Sequence, residues 1–418
     1  MDIWHVRGGN RLFGNCRVQG SKNASLPVLA ASMILPARSR IRNVPQLRDV
    51  DAAASILSHL GCRVERAEGE MLIDSSGVSC AEVPRELMGE MRSSVIFMGA
   101  LLARCGEARL SLPGGCQLGK RPIDLHLSAL RAMGAKIDER GSDLICRAEK
   151  LHGAEITLRF PSVGATENIM LVACAAEGRT TIRNAAREPE IGALQDYLRQ
   201  LGAHITGAGS DTLVICGASP RAEADFSVPG DRIVAATLAC ACAAAGGRII
   251  LNGVKSDHFL TVLHFLNEAG CDIIRFNDIV EISSDGALRA PGQIVTAPYP
   301  GFPTDAQPIL MAALLRAEGT TRITESIFEN RYRQVSELRR LGADIRVEGQ
   351  EAAIRGVKTL HGDTLTASDL RGGAAMIVAG LTAEGESRVI DAGHIARGYE
   401  SLDDRLCALG AEVWIEHR

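Results

Sequence analysis

Several common features are missing from this chain of 418 residues, and each absence excludes a class of protein. The formal net charge of −4 provides no positive excess that would attract nucleic acid or an anionic membrane surface over a distance. The first five residues, MDIWH, lack the charged and apolar regions of a secretory signal, so a cytoplasmic location is expected. Apolar runs such as 235–246 are too short and too rich in alanine to span a bilayer. We therefore expect no nucleic-acid partner and no membrane partner.

The cysteines also lack the spacing of a metal site. The chain has 12 of them, and no pair is separated as Cys-x-x-Cys. Cys240 and Cys242 are close together, but no histidine or acidic ligand flanks them. Scattered cysteines in a long chain without an export signal are expected to be reduced. The sequence therefore predicts no structural metal.

One short pattern recurs along the chain: an apolar residue, glycine, alanine or cysteine, a polar residue and a β-branched residue. Its six copies recur roughly every 70 residues, and they lie at 60–64, 133–137, 201–205, 269–273, 341–345 and 409–413. An amphipathic segment precedes each copy, as in 191–201, where Leu194 and Leu198 recur at helical spacing. The glycine is predicted to be the C-cap of that helix and to lead into a strand. Chance recurrence of a common helix end is the alternative.

Six units of intermixed helices and strands predict an α/β fold with two similar domains of three units each. The length of the chain also favours two hydrophobic cores. Segments with turn chemistry lie at 18–21 and at 227–231, and we place the crossings between the domains there. One domain is predicted to combine residues 1–20 and 230–418, and the other to span 21–229.

The segment LPGGCQLGKRPID, at 112–124, carries the first candidate for chemistry. Its three glycines between two prolines exclude a regular helix or strand and predict a loop. Cys116 lies close in sequence to Lys120 and Arg121, and nearby cations favour the reactive thiolate. A buried, unreactive thiol is the alternative for this residue.

Other polar residues suggest an anionic ligand. Lys22 precedes an apolar helix predicted to begin near Leu26, and its charge would add to the helix N–H groups. A solvated surface lysine is the alternative. Asp305 ends a Pro/Gly-rich loop before a predicted helix at 306–315, either as its N-cap or as a positioned base. Arginines that could grip carboxylate or phosphate with two N–H groups are Arg92, Arg331, Arg371 and Arg397.

Together these segments make the chain resemble, over essentially its full length, the UDP-N-acetylglucosamine 1-carboxyvinyltransferases, also called UDP-N-acetylglucosamine enolpyruvyl transferases. The shared motifs, in family order, are GSKNA (20–24), PGGC (113–116), RPIDL (121–125), PSVGATEN (161–168), GFPTD (301–305), FENR (328–331), DLR (369–371) and RGYE (397–400). The resemblance implies two inside-out α/β barrels, each built from three of the repeated units, that close on substrates in the cleft between them. The domain at 21–229 would carry the catalytic cysteine loop.

The resemblance also implies a reaction. The enolpyruvyl group of phosphoenolpyruvate would be transferred to the 3′-hydroxyl of UDP-N-acetylglucosamine with release of phosphate. This is the first committed step of peptidoglycan precursor synthesis. No cofactor and no metal are implied, because cationic side chains can do the electrostatic work.

Roles for individual residues follow from the same resemblance. Cys116 would be the loop acid and the site of a covalent phosphoenolpyruvate adduct, and Asp305 would be the base near the sugar hydroxyl. Lys22 and Arg397 complete the expected catalytic set. Phosphoenolpyruvate would be bound by Lys22, Asn23, Arg121, Arg331, Arg371 and Arg397. The sugar nucleotide would be bound by Asn23, Arg92, Arg121, Pro122, Ile123, Asp124, Leu125, Ser162, Val163, Gly164, Asp305 and Ile327.

Three segments depart from the usual family pattern. Val234 to Thr237 replaces a usual Glu-Ala-Gly-Thr, Ala396 replaces an aspartate, and residues 332–334 replace Phe-Met-His. These departures leave open a divergent paralogue with weak or regulatory activity. The other alternative is an enolpyruvyl transferase acting on shikimate phosphate, which shares the fold but lacks the cysteine loop.

Overall fold

The computed structural model describes residues 1–91, 93–111, 123–141, 143–219 and 221–417. Contacts within the chain divide it into two compact units. The terminal unit combines Met1–Gln19 with the chain from Gly230 onward, and the middle unit is built from the chain between Gly20 and Pro229. Each unit has its own cluster of buried apolar side chains.

Helices and strands alternate within the described residues. The helices are α1 (Lys22–Ala31), α2 (Arg48–His59), α3 (Arg85–Glu90), α4 (Ile96–Cys105), α5 (Asp124–Ala132), α6 (Val163–Ala175), α7 (Pro189–Gln200), α8 (Arg232–Ala245), α9 (Leu260–Glu268), α10 (Gln307–Ala313), α11 (Val335–Arg340), α12 (Leu370–Gly380) and α13 (Leu402–Ala408). Short 3₁₀ turns lie at Ser256–Phe259, Thr304–Ala306 and Ile395–Arg397. In the described part of the chain, no helix combines the length and the apolar character needed to cross a membrane.

The strands are short, and most belong to four-stranded sheets. They are β1 (Asp2–Arg7), β2 (Leu12–Arg17), β3 (Arg38–Arg42), β4 (Arg63–Ala67), β5 (Glu70–Asp74), β6 (Glu82–Val83), β7 (Glu107–Ser111), β8 (Lys136–Arg140), β9 (Asp143–Arg147), β10 (Glu155–Thr157), β11 (Thr180–Arg183), β12 (Ala203–Thr206), β13 (Thr212–Ala218), β14 (Glu223–Ser227), β15 (Gly247–Asn252), β16 (Asp272–Phe276), β17 (Ile279–Ser284), β18 (Ile294–Val295), β19 (Thr320–Thr324), β20 (Asp344–Glu348), β21 (Glu351–Arg355), β22 (Leu360–His361), β23 (Thr364–Thr366), β24 (Ala383–Glu384), β25 (Glu386–Asp391) and β26 (Glu412–His417).

The middle unit repeats one sheet pattern three times, in the orders β14-β3-β5-β4, β6-β7-β9-β8 and β10-β11-β13-β12. In each sheet the first strand runs parallel to the second. The second pairs antiparallel with the third, and the third forms an antiparallel hairpin with the fourth. The repeats in sequence therefore correspond to repeats in strand pairing.

The terminal unit has the same pattern in the orders β2-β15-β17-β16, β18-β19-β21-β20 and β23-β25-β1-β26. In the first two sheets the hairpin joins strands that are neighbours in sequence. In the last sheet β1 takes the corresponding place and pairs antiparallel with both β25 and β26. The N-terminal strand therefore completes a sheet whose other strands come from the C-terminal part of the chain.

Each unit has buried helices at its centre, which explains why the sheets lie outside. In the terminal unit α8, α10 and α12 are buried on nearly all sides and contact one another, and α1, α4 and α6 are the buried helices of the middle unit. A helix that is apolar all round belongs in a core. Strands such as β3 alternate between exposed and buried positions, so each such sheet covers the core with one face. The fold is α/β with helices inside and sheets outside, which confirms the predicted fold class.

The repeated glycine ends the amphipathic helices α2, α5, α7, α9, α11 and α13. Its φ angle is 102° at Gly61, 99° at Gly134, 99° at Gly202, 110° at Gly270, 97° at Gly342 and 99° at Gly410. The C-cap itself is the preceding residue, such as Leu201 before Gly202. The glycine was predicted to be the C-cap, and it lies one position later because it must take the positive φ that reverses the chain.

Substitutions at two of these glycines distinguish the effect of backbone strain from that of a steric clash. A Cβ at Gly202 would lie 1.8 Å from the carbonyl oxygen of Ser219, whereas a Cβ at Gly270 would meet no atom within 4 Å. We expect Gly270→Ala to lower the free energy of unfolding by about 1–3 kcal/mol through φ strain alone. Gly202→Ala should cost more, because the backbone must also move. Thermal and urea unfolding of both full-length variants measures this, and equal losses would contradict the steric argument.

Candidate functional site

The terminal unit holds a carboxylate between two buried arginines. Arg331 donates from Nη2 to Asp305 Oδ1 at 2.6 Å, and Arg371 donates from Nη2 and Nε to Asp305 Oδ2 at 3.1 and 3.3 Å. The arginine side chains are 2% and 4% exposed, whereas the Asp305 side chain is 31% exposed. Charge-assisted bonds of this kind are strong and directional. The carboxylate is therefore fixed at a place that a ligand can reach.

Asp305 is not the N-cap of a helix, so that alternative is wrong. The residue lies inside the 3₁₀ turn Thr304–Ala306, and α10 begins at Gln307 with Ala306 as an N-cap that makes no side-chain bond. The predicted helix at 306–315 is therefore shorter at both ends. The side chain of Asp305 is used for the two arginines instead.

Local hydrogen bonds position the chain around this carboxylate. Arg331 Nε donates to the carbonyl oxygen of Thr304 at 3.1 Å. The Thr304 hydroxyl donates to Glu325 Oε2 at 2.9 Å, and Glu325 Oε1 accepts from the N–H groups of Ile327 and Phe328 at 2.8 and 3.0 Å. Glu325 is 1% exposed. This buried carboxylate therefore ties the turn that carries Asp305 to the segment that carries Ile327.

Arg371 enters the cluster from the first turn of α12. The N-cap of this helix, Asp369, accepts from the N–H groups of Arg371 and Gly372 at 3.0 Å each. Burial opposes the charge of Arg371 most strongly, but Asp305, Tyr399 and Asp231 together outweigh it, and the pKa of Arg371 is raised above its ordinary value. The guanidinium is therefore charged throughout the pH range in which proteins are stable.

A buried tyrosine lies on the other side of Arg371. Arg371 Nη1 donates to Tyr399 Oη at 3.2 Å, and Tyr399 Oη lies 2.9 Å from the hydroxyl of Thr237 on α8. Tyr399 is 3% exposed, and burial raises its pKa above the ordinary value. The phenol is therefore protonated and serves as a neutral hydrogen-bonding group.

Arg397 lies in a 3₁₀ turn that is held at both ends. Asp391 accepts from two backbone N–H groups of that turn at 2.8 and 3.1 Å. Beyond the turn, Gln19 donates to the carbonyl oxygen of Gly398 at 3.2 Å and accepts from the N–H of Glu400 at 2.8 Å. Gln19 is 4% exposed and Asp391 is 1% exposed. The half-buried Arg397 therefore projects from backbone that buried polar groups hold in place.

In the middle unit, Lys22 is the first residue of α1. Ser21 is the N-cap and accepts from the N–H of Ala24 at 3.3 Å. Lys22 Nζ lies 3.4 Å from Asp49 Oδ2, and the two side chains are 13% and 4% exposed. Lys22 is therefore not a solvated surface residue. The helix begins at Lys22 rather than near Leu26, with Pro27 inside it.

The N-terminal ends of α5 and α6 carry six of the residues predicted to bind the sugar nucleotide: Ile123, Asp124, Leu125, Ser162, Val163 and Gly164. Ser162 is the N-cap of α6 and accepts from Ala165 N at 3.4 Å, and Val163 and Gly164 form its first turn. Ile123 is the N-cap of α5, which begins with Asp124 and Leu125, and Asp124 forms an ion pair with Arg159. The two helices contact each other.

Gly164 packs directly on the ring of His126. A Cβ at Gly164 would lie 3.1 Å from His126 Cε1. Asn168 Oδ1 accepts from the N–H of Gly99 at 2.7 Å, so its amide nitrogen is the group that lies 3.0 Å from His126 Nδ1. That nitrogen can only donate, so His126 Nδ1 accepts and carries no proton. Burial lowers the pKa of His126 to about 4, which keeps the ring neutral near neutral pH.

Some predicted site residues cannot be placed. Arg92, Cys116, Arg121 and Pro122 lie outside the described residues. Among the residues that are described, no group of three or more histidine, cysteine or acidic side chains is arranged to hold a metal ion. The described charged candidates lie in the first turns of helices, as Lys22, Asp124 and Arg371 do, or in turns, as Asp305, Arg331 and Arg397 do.

Comparisons with known proteins identify the family. A family model described as EPSP synthase (3-phosphoshikimate 1-carboxyvinyltransferase) matches residues 6–406. The UDP-N-acetylglucosamine 1-carboxyvinyltransferase 2 of Caldanaerobacter subterraneus subsp. tengcongensis is 46% identical over 413 residues, which is 99% of each chain. The UDP-N-acetylglucosamine 1-carboxyvinyltransferase of Trichlorobacter lovleyi is 45% identical over 414 residues, again 99% of each chain. The chain belongs to the UDP-N-acetylglucosamine 1-carboxyvinyltransferase family.

Solved structures agree with this family at the level of the fold. The enolpyruvyl transferase NikO from Streptomyces tendae has a TM-score of 0.89 and 26% identity, with 99% of this chain and 98% of that chain covered. An EPSP synthase from Acinetobacter baumannii has a TM-score of 0.78 and 19% identity, with both chains fully covered at 100%. The second likeness is one of fold alone. The relatives at 46% and 45% identity confirm the resemblance of this chain to the UDP-N-acetylglucosamine 1-carboxyvinyltransferases.

The departures from the usual pattern of the UDP-N-acetylglucosamine 1-carboxyvinyltransferases lie in the protein framework. Val234 is fully buried in α8, and its N–H donates to the N-cap Asp231. Gln334 is fully buried at the start of α11, and Ala396 lies within the 3₁₀ turn of Arg397. None of them replaces Asp305 or an arginine that binds it.

Several residues that form hydrogen bonds around the candidate site were not predicted from the sequence. Tyr399 and Asn168 lie inside recognised motifs, RGYE and PSVGATEN, so their motif membership was the available signal. Glu325, Gln19 and His126 were not singled out, because single buried polar residues show no pattern along the chain. Their roles depend on hydrogen bonds to groups that are distant in sequence, which are the Gly398 carbonyl for Gln19, the Thr304 hydroxyl for Glu325 and the Asn168 amide for His126.

The neutral state of His126 predicts how the free energy of unfolding depends on pH. Between pH 6.5 and about 4 an unfolded histidine binds a proton that the folded ring does not bind, so the free energy of unfolding must fall as pH falls through this window. The loss is up to about 3 kcal/mol, because one pKa unit corresponds to about 1.4 kcal/mol and the ring is only partly exposed. We expect His126→Gln to flatten this part of the pH profile.

The measurement is urea unfolding of wild type and variant from pH 7 to pH 4. His204→Gln, which changes an exposed histidine on β12, is the matched control and should leave the profile as in wild type. A profile of His126→Gln as steep as that of wild type would show that His126 is not the titrating group.

Proposed function

We propose that the chain transfers the enolpyruvyl group of phosphoenolpyruvate to the 3′-hydroxyl of UDP-N-acetylglucosamine and releases phosphate. The observation that carries the proposal is the Asp305 carboxylate fixed between buried Arg331 and Arg371, in a chain of this family. The reaction would be the first committed step of peptidoglycan precursor synthesis, and the proposed setting is the cytoplasm.

The reaction requires one base and one acid. The sugar hydroxyl loses a proton as its oxygen adds to C2 of phosphoenolpyruvate, and C3 gains a proton. The tetrahedral intermediate then loses phosphate, and C3 gives up a proton as the double bond forms again. We assign the base to Asp305, because a partly exposed carboxylate held in one orientation can accept a proton from a hydroxyl in reach. We assign the acid to Cys116, which would also form the covalent adduct, and we propose that the middle unit carries its loop.

Phosphoenolpyruvate carries both a phosphate and a carboxylate, so binding it requires several cations. We assign this role to Lys22, Asn23, Arg121, Arg331, Arg371 and Arg397. The support from the described residues is that Lys22 and Arg371 lie in the first turns of α1 and α12, where the helix dipole adds to the side-chain charge. Because these side chains are nearly buried, their attraction for an anion is screened less than it would be in water.

Asn23 can offer its backbone as well as its side chain. Pro27 lies four residues further along α1 and has no N–H group, so it cannot donate the usual helical hydrogen bond to the Asn23 carbonyl. This carbonyl is an acceptor, so it suits a donor such as a sugar hydroxyl and not the anionic oxygens of phosphoenolpyruvate.

For the sugar nucleotide, we propose binding by the ends of α5 and α6, by Ile327 and by Asp305, together with Asn23, Arg92, Arg121 and Pro122. The backbone at Val163 and Gly164 suits a phosphate or ribose oxygen, because the start of a helix presents N–H groups and glycine allows close approach. The residues at the start of α5 are Ile123, Asp124 and Leu125.

Phosphate release tests the proposed function. We expect the purified full-length chain to release phosphate from phosphoenolpyruvate when UDP-N-acetylglucosamine is present, and not when shikimate 3-phosphate replaces it. Turnover with shikimate 3-phosphate alone would contradict the proposed acceptor. Binding of UDP-N-acetylglucosamine without turnover would contradict catalysis and indicate a regulatory binding protein.

Covalent labelling tests the reactive cysteine. A thiolate opens the epoxide ring of fosfomycin and adds the whole molecule, so intact-protein mass spectrometry should detect one adduct on wild type. We expect Cys116→Ala to lose this adduct. Cys216→Ala, which removes an exposed thiol on β13, is the control and should keep it. An adduct that persists in Cys116→Ala would locate the reactive group at another cysteine.

A further inference from the structure

The donors and acceptors around Tyr399 can be assigned in only one consistent way. The Thr237 hydroxyl donates its single proton to the carbonyl oxygen of Ile233 at 2.8 Å, so towards Tyr399 it can only accept. Tyr399 must therefore donate to Thr237, and its oxygen must accept from Arg371 Nη1. The chain of bonds runs from Arg371 through Tyr399 and Thr237 to the backbone of α8.

This chain of bonds fixes the plane of the Arg371 guanidinium. Nε and Nη2 contact Asp305 on one edge, and Nη1 contacts Tyr399 on another. A guanidinium held on one edge alone can pivot about its partner, whereas a planar group held on two edges cannot. The Tyr399 ring also lies under the charge, with Arg371 Cζ 5.5 Å from the ring centroid.

Tyr399 also belongs to the segment that carries Arg397. Its N–H donates to the carbonyl oxygen of Ile395 at 3.0 Å, a bond that spans the 3₁₀ turn of Arg397. One residue therefore connects α8, the start of α12 and the Arg397 turn within the terminal unit.

We propose that Tyr399 is a positioning residue for the reaction: its hydroxyl sets the orientation of Arg371, and through Arg371 that of Asp305. The proposal rests on the proposed function. Because Arg371 is assigned to phosphoenolpyruvate, loss of the hydroxyl should weaken the use of that substrate more than the binding of the sugar nucleotide.

The middle unit offers a matched control. Tyr197 is fully buried, its Oη lies 2.7 Å from the Ser39 hydroxyl, and burial raises its pKa as it does that of Tyr399. Tyr197→Phe and Tyr399→Phe both remove one buried phenol hydroxyl from a hydroxyl partner. Only Tyr399→Phe also removes a partner from Arg371.

The first experiment compares steady-state phosphate release and thermal unfolding of the two full-length variants. We expect similar decreases in Tm for both. We expect kcat/KM for phosphoenolpyruvate to fall about tenfold in Tyr399→Phe, within the range of coupling between contacting residues, and to stay within about twofold of wild type in Tyr197→Phe. The KM for UDP-N-acetylglucosamine should rise less than that for phosphoenolpyruvate in Tyr399→Phe, because Tyr399 acts on Asp305 only through Arg371, and should be unchanged in Tyr197→Phe.

A double-mutant cycle tests whether Tyr399 acts through Arg371. Lysine at position 371 has no planar fork, so it cannot keep both edge contacts. In the Arg371→Lys background, Tyr399→Phe should therefore reduce kcat/KM for phosphoenolpyruvate by less than about twofold. An effect as large as in wild type would show that Tyr399 does not act through Arg371 and would overturn the proposal.

A second pair of variants covers the case in which Tyr399→Phe fails to fold. Thr237→Val removes the acceptor of the Tyr399 hydroxyl and should lower kcat/KM for phosphoenolpyruvate, whereas Thr237→Ser keeps the acceptor and should restore it. Wild-type kinetics in both Tyr399→Phe and Thr237→Val would overturn this inference but leave the proposed function standing. Absence of turnover in wild type would overturn the proposed function, and the inference with it.

Discussion

The structure depends on helices that are buried on nearly all sides. In the terminal unit α8, α10 and α12 pack on one another, so their middle turns have room only for small or apolar side chains. Their first turns must satisfy N–H groups that have no partner within the helix. Asp231 and Asp369 do this as N-caps, and Arg371 follows Asp369 directly. The charged Arg371 therefore lies at the start of α12, outside the closely packed middle turns.

This arrangement allows a charged site to be organised before any substrate arrives. Buried charges require partners with good geometry, since a lost partner leaves an uncompensated charge. Arg331 meets this requirement with Asp305 and the Thr304 carbonyl, and Arg371 meets it with Asp305 and Tyr399. Because these bonds form on folding, the groups need not reorganise when charge develops on a ligand. The partners of the arginines are therefore as much part of the site as the arginines themselves.

The sequence predicted what depends on local conformation. The six glycines were recognised because a positive φ after a helix requires that residue at each repeat. The place of β1 was not predictable, because alternation along a strand does not reveal its partner, and β1 pairs with strands at the other end of the chain. Asp305 was open to an N-cap interpretation because the arginines that use its carboxylate are distant in sequence. The start of α1 was predicted near Leu26, whereas Ser21 is its N-cap and Lys22 its first residue.

The N-terminal segment of the chain also contributes to the candidate site. After β1 and β2, Gln19 is buried and uses both ends of its amide on backbone groups at 398 and 400. An amide that donates and accepts on the same short segment fixes both its position and its orientation. The turn that carries Arg397 can therefore reach its final form only when the N-terminal strands have joined the C-terminal ones. The last sheet and the Arg397 turn therefore both depend on the N-terminal residues 1–19, the sheet through β1 and the turn through Gln19.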